Sequence, residues 1–357
     1  MQTEQLQQIE LEYREGSSDK VYRAAIEEAQ GGYVVNFAYG RRGATLNTGT
    51  KTTSPVPYDE ALIIYGKLVR SKTAKGYKPV GNTGAGIGTS VTSRERLDTG
   101  LRAQLLNPIT EDQAEAYLTD DNWCAQEKYD GRRMLVRKTG DEIVAANRDG
   151  LCTGFPTALA TQLSGVRGSF VIDGESVGEN FYAFDLLEGA GGDWRQSPYR
   201  IRLEALDSQL GSLGGNIRVA PTTTGQAKRS FLAELKAAGK EGIVFKDLRA
   251  GWQAGRPSSG GRALKCKFWA SCSCVVAKVN ARRSVELALG DQSVGNVTIP
   301  PNHKMPAAGQ VVEIRYLYVV GAGGSLYQPI YLGVRDDVPA EDCTVERQRL
   351  KYRSMEE

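Results

Sequence analysis

Histidine, on which many enzymes depend, is almost absent from this sequence. Its 357 residues include a single histidine, His303. A Ser-His-Asp hydrolase or an HExxH metalloprotease would have to be built on that residue, and no matching motif surrounds it. These reaction classes are therefore excluded. Any chemistry that the chain performs must rest on lysine, arginine and carboxylate side chains.

Cysteine is also sparse, and its spacing matches no strong metal motif. Cys266, Cys272 and Cys274 lie close together, but no Cys-x-x-Cys pair accompanies them. A closed four-ligand zinc site is therefore not expected, and buried thiols are expected instead. Disulfides are not expected either, since a reducing compartment keeps thiols reduced. The six cysteines stand at positions 124, 152, 266, 272, 274 and 343.

Long hydrophobic runs are missing as well. No stretch of about 18 apolar residues occurs, and the polar, acidic start lacks the basic and apolar regions of a signal peptide. We expect a cytoplasmic or nucleoid-associated protein with no membrane partner, and a monomer because nothing indicates an oligomer. The hydrophobic share of 40% and the charged share of 24% are typical of globular proteins, and the length suits two or three domains.

The net charge is only +3, but positive charge is concentrated in one part of the chain. Between residues 31 and 80, eight lysines and arginines stand against two acidic residues. Such clustering is typical of proteins that bind polyanions, although a solvated basic face fits the charge equally well. The basic residues of this segment are at positions 41, 42, 51, 67, 70, 72, 75 and 78.

The hydrophobic pattern divides the chain into regions. Alternation over 20–53 predicts an antiparallel sheet, and the spacing over 58–72 predicts a helix. Beyond residue 270 only strands and turns are predicted, and about five strands suit a small barrel such as an OB-fold. Further predicted elements are helices at 156–164, 199–210 and 226–239 and strands at 241–247 and 263–269. The predicted domains are 1–80, a Gly/Ser/Thr-rich linker at 81–100, 101–269, 270–340 and a charged tail at 341–357.

The clearest candidate nucleophile is Lys128, which ends a strand-like run and begins the sequence KYDGRR. A free lysine has a pKa near 10.4, so nearby cations are needed to favour its neutral amine. Lys265 and Lys267 are candidates for that role, and their spacing of two puts them on one face of a strand. Five further motifs occur in order: NRDG (147–150), FVIDGE (170–175), YAFDLL (182–187), EGIVFK (241–246) and LKCK (264–267).

This ordered set, over residues 123–269, resembles the nucleotidyltransferase motifs of ATP-dependent DNA ligases, which belong to the covalent nucleotidyltransferase superfamily. The resemblance implies an α+β fold, in which a nucleotidyltransferase domain of ATP-grasp-like antiparallel sheets and helices precedes a C-terminal OB-fold barrel. It also implies ATP and Mg²⁺ as cofactors, with Mn²⁺ able to substitute for Mg²⁺. The implied partner is nicked duplex DNA, and RNA-containing nicks remain open.

The same resemblance gives roles to single residues. Lys128 attacks the α-phosphate of ATP, and Glu241 binds Mg²⁺, since hard cations prefer oxygen ligands. The remaining residues implied in nucleotide binding are Arg148 and Glu175 for the ribose, Phe184 for stacking on adenine, Gln126 for the adenine amino group, and Lys265 and Lys267 for the α-phosphate.

Further residues are implied in binding the nucleic acid and pyrophosphate. Asp130 and Arg133 are assigned to the nucleic acid, Arg133 to the 5′-phosphate of the nicked strand. The segment YQPIYLGVRD at 327–336 resembles the final motif of these ligases, in which an arginine orients pyrophosphate. Arg335 is that candidate. In these ligases the position two residues before the proline often holds a basic residue. In this chain that position holds Tyr327.

The basic segment near the start resembles a WGR domain, as found in poly(ADP-ribose) polymerases. The features on which this resemblance rests are YGRRG at 39–43, a following helix, and KGY at 75–77. The hallmark tryptophan is replaced by Tyr39, and an aromatic at this position can still pack against a sugar. The resemblance implies that Tyr39, Arg41, Arg42 and Lys75 contact DNA near breaks.

The function predicted from the sequence is sealing of 5′-phosphate/3′-hydroxyl nicks through a lysyl-AMP intermediate and an adenylated nucleic-acid end. An RNA ligase is the nearest alternative, and an mRNA guanylyltransferase that uses GTP shares the lysine chemistry. A non-catalytic protein that binds DNA breaks is the alternative from another class. The intact lysine and carboxylate set argues against that last alternative.

Overall fold

The computed structural model describes residues 6–15, 18–29, 31–42, 46–52, 54–81, 97–320 and 324–352. Its elements form an α+β arrangement of one N-terminal sheet, two central sheets and one C-terminal sheet. Most of the predicted linker at 81–100 lies outside the described residues. In the part of the chain that the structure covers, no helix is both long and apolar enough to cross a bilayer.

The N-terminal unit is an antiparallel sheet in the order β4-β3-β2-β1-β5, with one helix packed on it. Helix α1 begins after Pro57, and its first turn carries Asp59 and Glu60 while its last carries Arg70 and Lys72, which complements the helix dipole. The helix predicted at 58–72 is therefore confirmed. The elements are β1 (Gln8–Glu15), β2 (Ser18–Ala29), β3 (Gly32–Arg41), β4 (Asn47–Thr50), α1 (Tyr58–Thr73) and β5 (Lys78–Gly81).

The central unit contains two sheets that each have their own hydrophobic core. One runs β10-β9-β8-β11-β12-β13, with β14 pairing with β12, and the other runs β15-β7-β16-β17-β6. The elements are β6 (Asn107–Ile109), α2 (Glu111–Thr119), β7 (Trp123–Glu127), β8 (Arg132–Thr139), β9 (Glu142–Asn147), β10 (Cys152–Thr153), α3 (Thr157–Ser164), β11 (Phe170–Val177), β12 (Asn180–Gly189), β13 (Gly192–Asp193), α4 (Tyr199–Leu210), β14 (Ile217–Val219), β15 (Thr222–Thr223), α5 (Ala227–Ala237), β16 (Gly242–Asp247) and β17 (Ala263–Lys267).

Buried ion pairs join these layers. The carboxylate of Asp185, in β12, accepts from the guanidinium of Arg202, in α4, and both side chains are almost fully buried. Arg202 also donates to the backbone carbonyls of Ser197 and Ala250. Because a buried charge without partners is costly, this network fixes α4 against the larger sheet.

The C-terminal unit is a five-stranded antiparallel sheet in the order β20-β19-β18-β21-β22, which encloses a core of aliphatic and aromatic side chains. Cys343 is buried in this core, and Val319 pairs with Tyr352, so residues 340–352 pack on the sheet. The predicted boundaries of the domains and tail stay predictions. The elements are β18 (Ala270–Val279), β19 (Ser284–Leu289), β20 (Gln292–Thr298), β21 (Val311–Tyr316), β22 (Ile330–Val334) and a 3-10 turn (Ala340–Asp342).

Candidate active site

A cleft lies between the two central sheets and opens to solvent. Strands of both sheets contribute to its walls, so side chains far apart in sequence converge on one space. The cleft is lined by Leu106, Gln126, Glu127, Lys128, Tyr129, Arg133, Glu175, Phe184, Val244, Lys246 and Lys265.

The pairing of strands brings Lys128, the candidate nucleophile, next to the carboxylate of Glu241. Strands β7, β16 and β17 are antiparallel neighbours, with Gly242 opposite Lys267, and the amide of Lys128 donates to the carbonyl of Gly242. Glu241 directly precedes β16, so its carboxylate falls between two lysines. One oxygen lies 2.5 Å from Lys128 Nζ and the other 2.9 Å from Lys267 Nζ. The Glu241 side chain is only 3% exposed.

Lys265 lies two residues before Lys267 in β17 and lines the same cleft. Burial, together with the positive charges of Lys128 and Lys267, lowers the pKa of Lys265 to about 8. Three ammonium groups therefore converge on one carboxylate. Such an excess of positive charge is suited to a ligand that brings several negative charges of its own.

Glu175 supplies a further carboxylate beside the lysines of the cleft. It lies in β11 opposite Arg133 of β8. The pKa of Glu175 is raised to about 7, mainly by burial and also by the charge of Glu241, which together outweigh the opposing charges of Arg133 and Lys128. Among the described residues, no group of three His, Cys, Asp or Glu side chains could hold a metal ion. Two carboxylates fit an Mg²⁺ ion that a nucleotide's phosphates also bind, because Mg²⁺ commonly takes one or two carboxylates plus phosphate oxygens.

The floor of the cleft is a buried polar network. Gln126 donates through Nε2 to Thr222 Oγ1 (2.8 Å), and its Oε1 lies 3.2 Å from the hydroxyl of Tyr199. Lys246 Nζ bonds the same hydroxyl at 3.0 Å. Burial lowers the pKa of Lys246 to about 8. The network holds the Gln126 amide in one orientation.

Phe184 and Arg133 also meet at this floor. The guanidinium of Arg133 and the ammonium of Lys246 each lie 4.4 Å from the ring centroid of Phe184. Arg133 forms two hydrogen bonds with the buried carboxylate of Asp173, one of them at 2.7 Å. The structure therefore places Arg133 inside the cleft, and its predicted contact with a 5′-phosphate stays a prediction.

Five predicted site residues of the central and C-terminal units are outside the cleft lining. Ion pairs link two of them, Glu241 and Lys267, to Lys128. The other three are Arg148, Asp130 and Arg335. Arg148 is on the turn after β9, with 73% of its side chain exposed. Asp130 accepts a hydrogen bond from the Tyr318 hydroxyl of the C-terminal unit. Arg335 pairs with Asp337 at 2.7 Å and with Glu313 at 3.1 Å. Their predicted roles stay predictions.

The N-terminal candidates lie on different faces of their sheet. Tyr39 is 44% exposed and stacks on Tyr22 with ring centroids 6.0 Å apart. Arg41 is two residues later in β3 and shares that face, whereas Arg42 bonds Glu12 at 2.7 Å and Asp19 at 3.1 Å. Exposed Lys75 follows α1. These residues form no part of the cleft lining.

Five residues that line the cleft were not predicted as site residues: Leu106, Glu127, Tyr129, Val244 and Lys246. Lys246 ends the EGIVFK motif, and its spacing of two from Val244 indicates that both share one face of β16. Tyr129 stacks on Tyr182 with ring centroids 4.1 Å apart. The strand period could have predicted Lys246, but nothing in the sequence pairs Tyr129 with Tyr182.

Two known families match this chain. The RNA ligase family matches residues 121–266, and the WGR domain matches residues 6–84. A "Probable DNA ligase" of Anaeromyxobacter sp. (strain K) is 29% identical, over 39% of this chain and 33% of that relative. A "Probable DNA ligase" of Mycobacterium marinum (strain ATCC BAA-535 / M) is 27% identical, again over 39% and 33%. The chain therefore covers 33% of the length of these curated relatives.

A solved structure is similar in fold to about two thirds of this chain. It is described as "DNA binding with a minimal scaffold: Structure-function analysis of Lig E DNA ligases". The match has a TM-score of 0.50 at 17% identity and covers 66% of this chain and 99% of that one. At this identity the likeness concerns the fold alone.

Proposed function

We propose that this chain, which carries a ligase-type nucleotidyltransferase domain together with a WGR domain, is an ATP-dependent DNA ligase. The observation that carries the proposal is the Glu241 carboxylate, which contacts both Lys267 and the cleft residue Lys128. The curated relatives are named as probable DNA ligases, which favours DNA as the substrate.

In the proposed first step, the amine of Lys128 attacks the α-phosphate of ATP. A nitrogen–phosphorus bond forms, the bond from the α-phosphorus to pyrophosphate breaks, and pyrophosphate leaves. The proton of Lys128 passes towards Glu241, whose oxygen is 2.5 Å away. Lys265 and Lys267 stabilise the charge that develops on the phosphate oxygens. When bound, Mg²⁺ supplies further positive charge beside Glu241 and Glu175.

In the two later steps, AMP passes from Lys128 to the 5′-phosphate of a nick, and the 3′-hydroxyl then displaces AMP. The five-stranded C-terminal sheet is proposed as the OB-fold that such ligases carry after their nucleotidyltransferase domain. The WGR domain is proposed to bind duplex DNA near the nick.

The match to the RNA ligase family favours RNA joining as a second candidate function. A labelling experiment tests both candidates. The protein would be incubated with Mg²⁺ and either α-labelled ATP or α-labelled GTP, resolved by denaturing electrophoresis, and then chased with nicked DNA, nicked RNA or a diphosphate RNA end. We expect label from ATP and discharge by nicked DNA. Discharge by RNA alone would favour the second candidate, and label from GTP alone would contradict both.

A further inference from the structure

The carboxamide of Gln126 can pair with either kind of purine edge, depending on which way it points. Gln126 lines the cleft and is 2% exposed. Adenine presents an amino donor at C6 beside the acceptor N1, whereas a 6-oxopurine such as guanine presents a carbonyl acceptor beside a protonated N1. A carboxamide, with an acceptor at one end and a donor at the other, fits the first edge in one orientation and the second edge when it is reversed. Selection between the two bases therefore requires an amide of fixed direction.

Thr222 fixes the nitrogen end of this amide. It lies opposite Gln126 in the pairing of β15 with β7. The Thr222 hydroxyl donates to the backbone carbonyl of Ala220 at 3.2 Å. Because a hydroxyl has a single hydrogen, its oxygen is then an acceptor for Gln126 Nε2, which lies 2.8 Å away. A reversed amide would bring its own oxygen against this acceptor.

Tyr199 fixes the oxygen end. Its hydroxyl accepts from Lys246 Nζ at 3.0 Å, and an ammonium can only donate. The hydroxyl hydrogen is therefore directed towards acceptors, which are the carbonyl of Phe184 at 2.6 Å and Gln126 Oε1 at 3.2 Å. Tyr199 is the first residue of α4, the helix that Arg202 fixes against the larger sheet. Both ends of the amide thus have complementary partners in the same orientation.

We propose that Thr222 and Tyr199 are positioning residues that make self-adenylation selective for adenine against 6-oxopurines, an inference that rests on the proposed function. After its bonds to these two residues, the amide keeps one lone pair on Oε1 and one hydrogen on Nε2. The lone pair suits the amino group of adenine, and the hydrogen suits N1. A 6-oxopurine would meet an acceptor with an acceptor and a donor with a donor. Reversal of the amide would accommodate that base, but both protein bonds would be lost.

The test compares ATP with ITP in the full chain, because the two bases differ only in the edge at C6 and N1. Single-turnover labelling with each α-labelled nucleotide gives kcat/KM for enzyme-nucleotide formation. We expect the unaltered chain to prefer ATP. In Thr222→Val, which removes the hydroxyl and keeps the shape of the side chain, the ATP/ITP ratio of kcat/KM should fall about tenfold, the effect of about one hydrogen bond.

Two further variants and a control sharpen this comparison. Tyr199→Phe should lower the same ratio, because Oε1 loses its donor. Thr222→Ser restores a hydroxyl and should restore the ratio. Thr223→Val, at the neighbouring residue of β15 that faces the other side of the strand, should keep the original ratio.

An unchanged ratio in both Thr222→Val and Tyr199→Phe would overturn the proposal. Equal losses with ATP and ITP would overturn it as well, since general damage to the fold does not distinguish the bases. Thermal unfolding of each variant would be followed beside the rates, and the partly exposed Thr222 provides the test if Tyr199→Phe is unstable. If the unaltered chain forms no covalent adduct with either nucleotide, the proposed function fails, which is a different result from an adduct whose base preference the variants leave unchanged.

Discussion

The carboxylate of Glu241 lies 2.5 Å from the Nζ atom of Lys128, although 113 residues separate them in the sequence. The same carboxylate lies 2.9 Å from Lys267 Nζ. A single buried acid therefore orients the candidate nucleophile and offsets the positive charge collected around it. Binding of a nucleotide would bring negative phosphates to the same place, so Lys267 can exchange a protein carboxylate for phosphate oxygens.

The first prediction concerns this carboxylate. In Glu241→Gln both lysines lose a charged acceptor, and each charge-assisted hydrogen bond is worth roughly 1.5–3 kcal/mol. We expect enzyme-AMP formation to slow by about ten- to a hundredfold, as measured by single-turnover labelling with α-labelled ATP. Glu234→Gln, at an exposed position of α5, is the matched control and should keep the original rate. An unchanged rate in Glu241→Gln would show that the pair with Lys128 has no part in the reaction.

The second prediction is a bell-shaped pH profile for kcat/KM of self-adenylation. Glu175, with a pKa of about 7, must be ionised to accept a ribose hydroxyl, so the rate should fall as pH drops below about 7. Lys265, with a pKa of about 8, must be protonated to stabilise the phosphate, so the rate should also fall as pH rises above about 8. In Lys265→Arg the alkaline limb should move upward, because a guanidinium stays protonated. An alkaline limb at the same pH in that variant would assign it to another group.

The third prediction separates the reaction steps at Arg335. If this arginine orients pyrophosphate, Arg335→Ala should impair self-adenylation and leave sealing of a pre-adenylated nick largely intact. Its partners Asp337 and Glu313 hold the guanidinium at the end of β22. Parallel rate measurements on both steps provide the check. Equal losses in both would indicate that Arg335 stabilises the C-terminal unit instead.

The fourth prediction uses the two faces of the N-terminal sheet. Arg41 shares a face with exposed Tyr39, so Arg41→Ala should weaken binding to nicked duplex and reduce the slope of log K against log salt by about 0.9 for one lost phosphate contact. Arg42 is bound to Glu12 and Asp19. Arg42→Ala should keep that slope and lower the free energy of unfolding by about 1 kcal/mol or less. Identical salt slopes in the Arg41 variant and the unaltered chain would show that this face is exposed to solvent and does not contact DNA phosphates.

Different parts of the fold could be predicted from the sequence to different degrees. The helix at Tyr58–Thr73 follows from the local spacing of apolar residues, so it was predicted within one residue. Helix α2 was not predicted, although Thr110 and Gln113 form the capping box that marks its start. Local signals of this kind need no knowledge of distant residues.

The site depends on information that local signals do not contain. The order of the motifs identified Lys128 and Glu241, but their contact depends on the register between β7 and β16. The strand period predicts that Arg41 and Arg42 face opposite sides, yet only the pairing of β3 with β2 shows which side carries the acidic partners. The contact between Tyr318 and Asp130 joins separate units, and no sequence pattern of either unit indicates it.

The most direct test of the account is covalent labelling of the chain and of its Lys128→Ala variant with α-labelled ATP and Mg²⁺. Label should remain on the unaltered chain through denaturation, and peptide mapping should locate it at Lys128. It should be absent from Lys128→Ala and also from Lys128→Arg, whose guanidinium is not usefully deprotonated near neutral pH. Label that persists in Lys128→Ala, or that maps to another lysine, would contradict the central claim that Lys128 is the nucleophile.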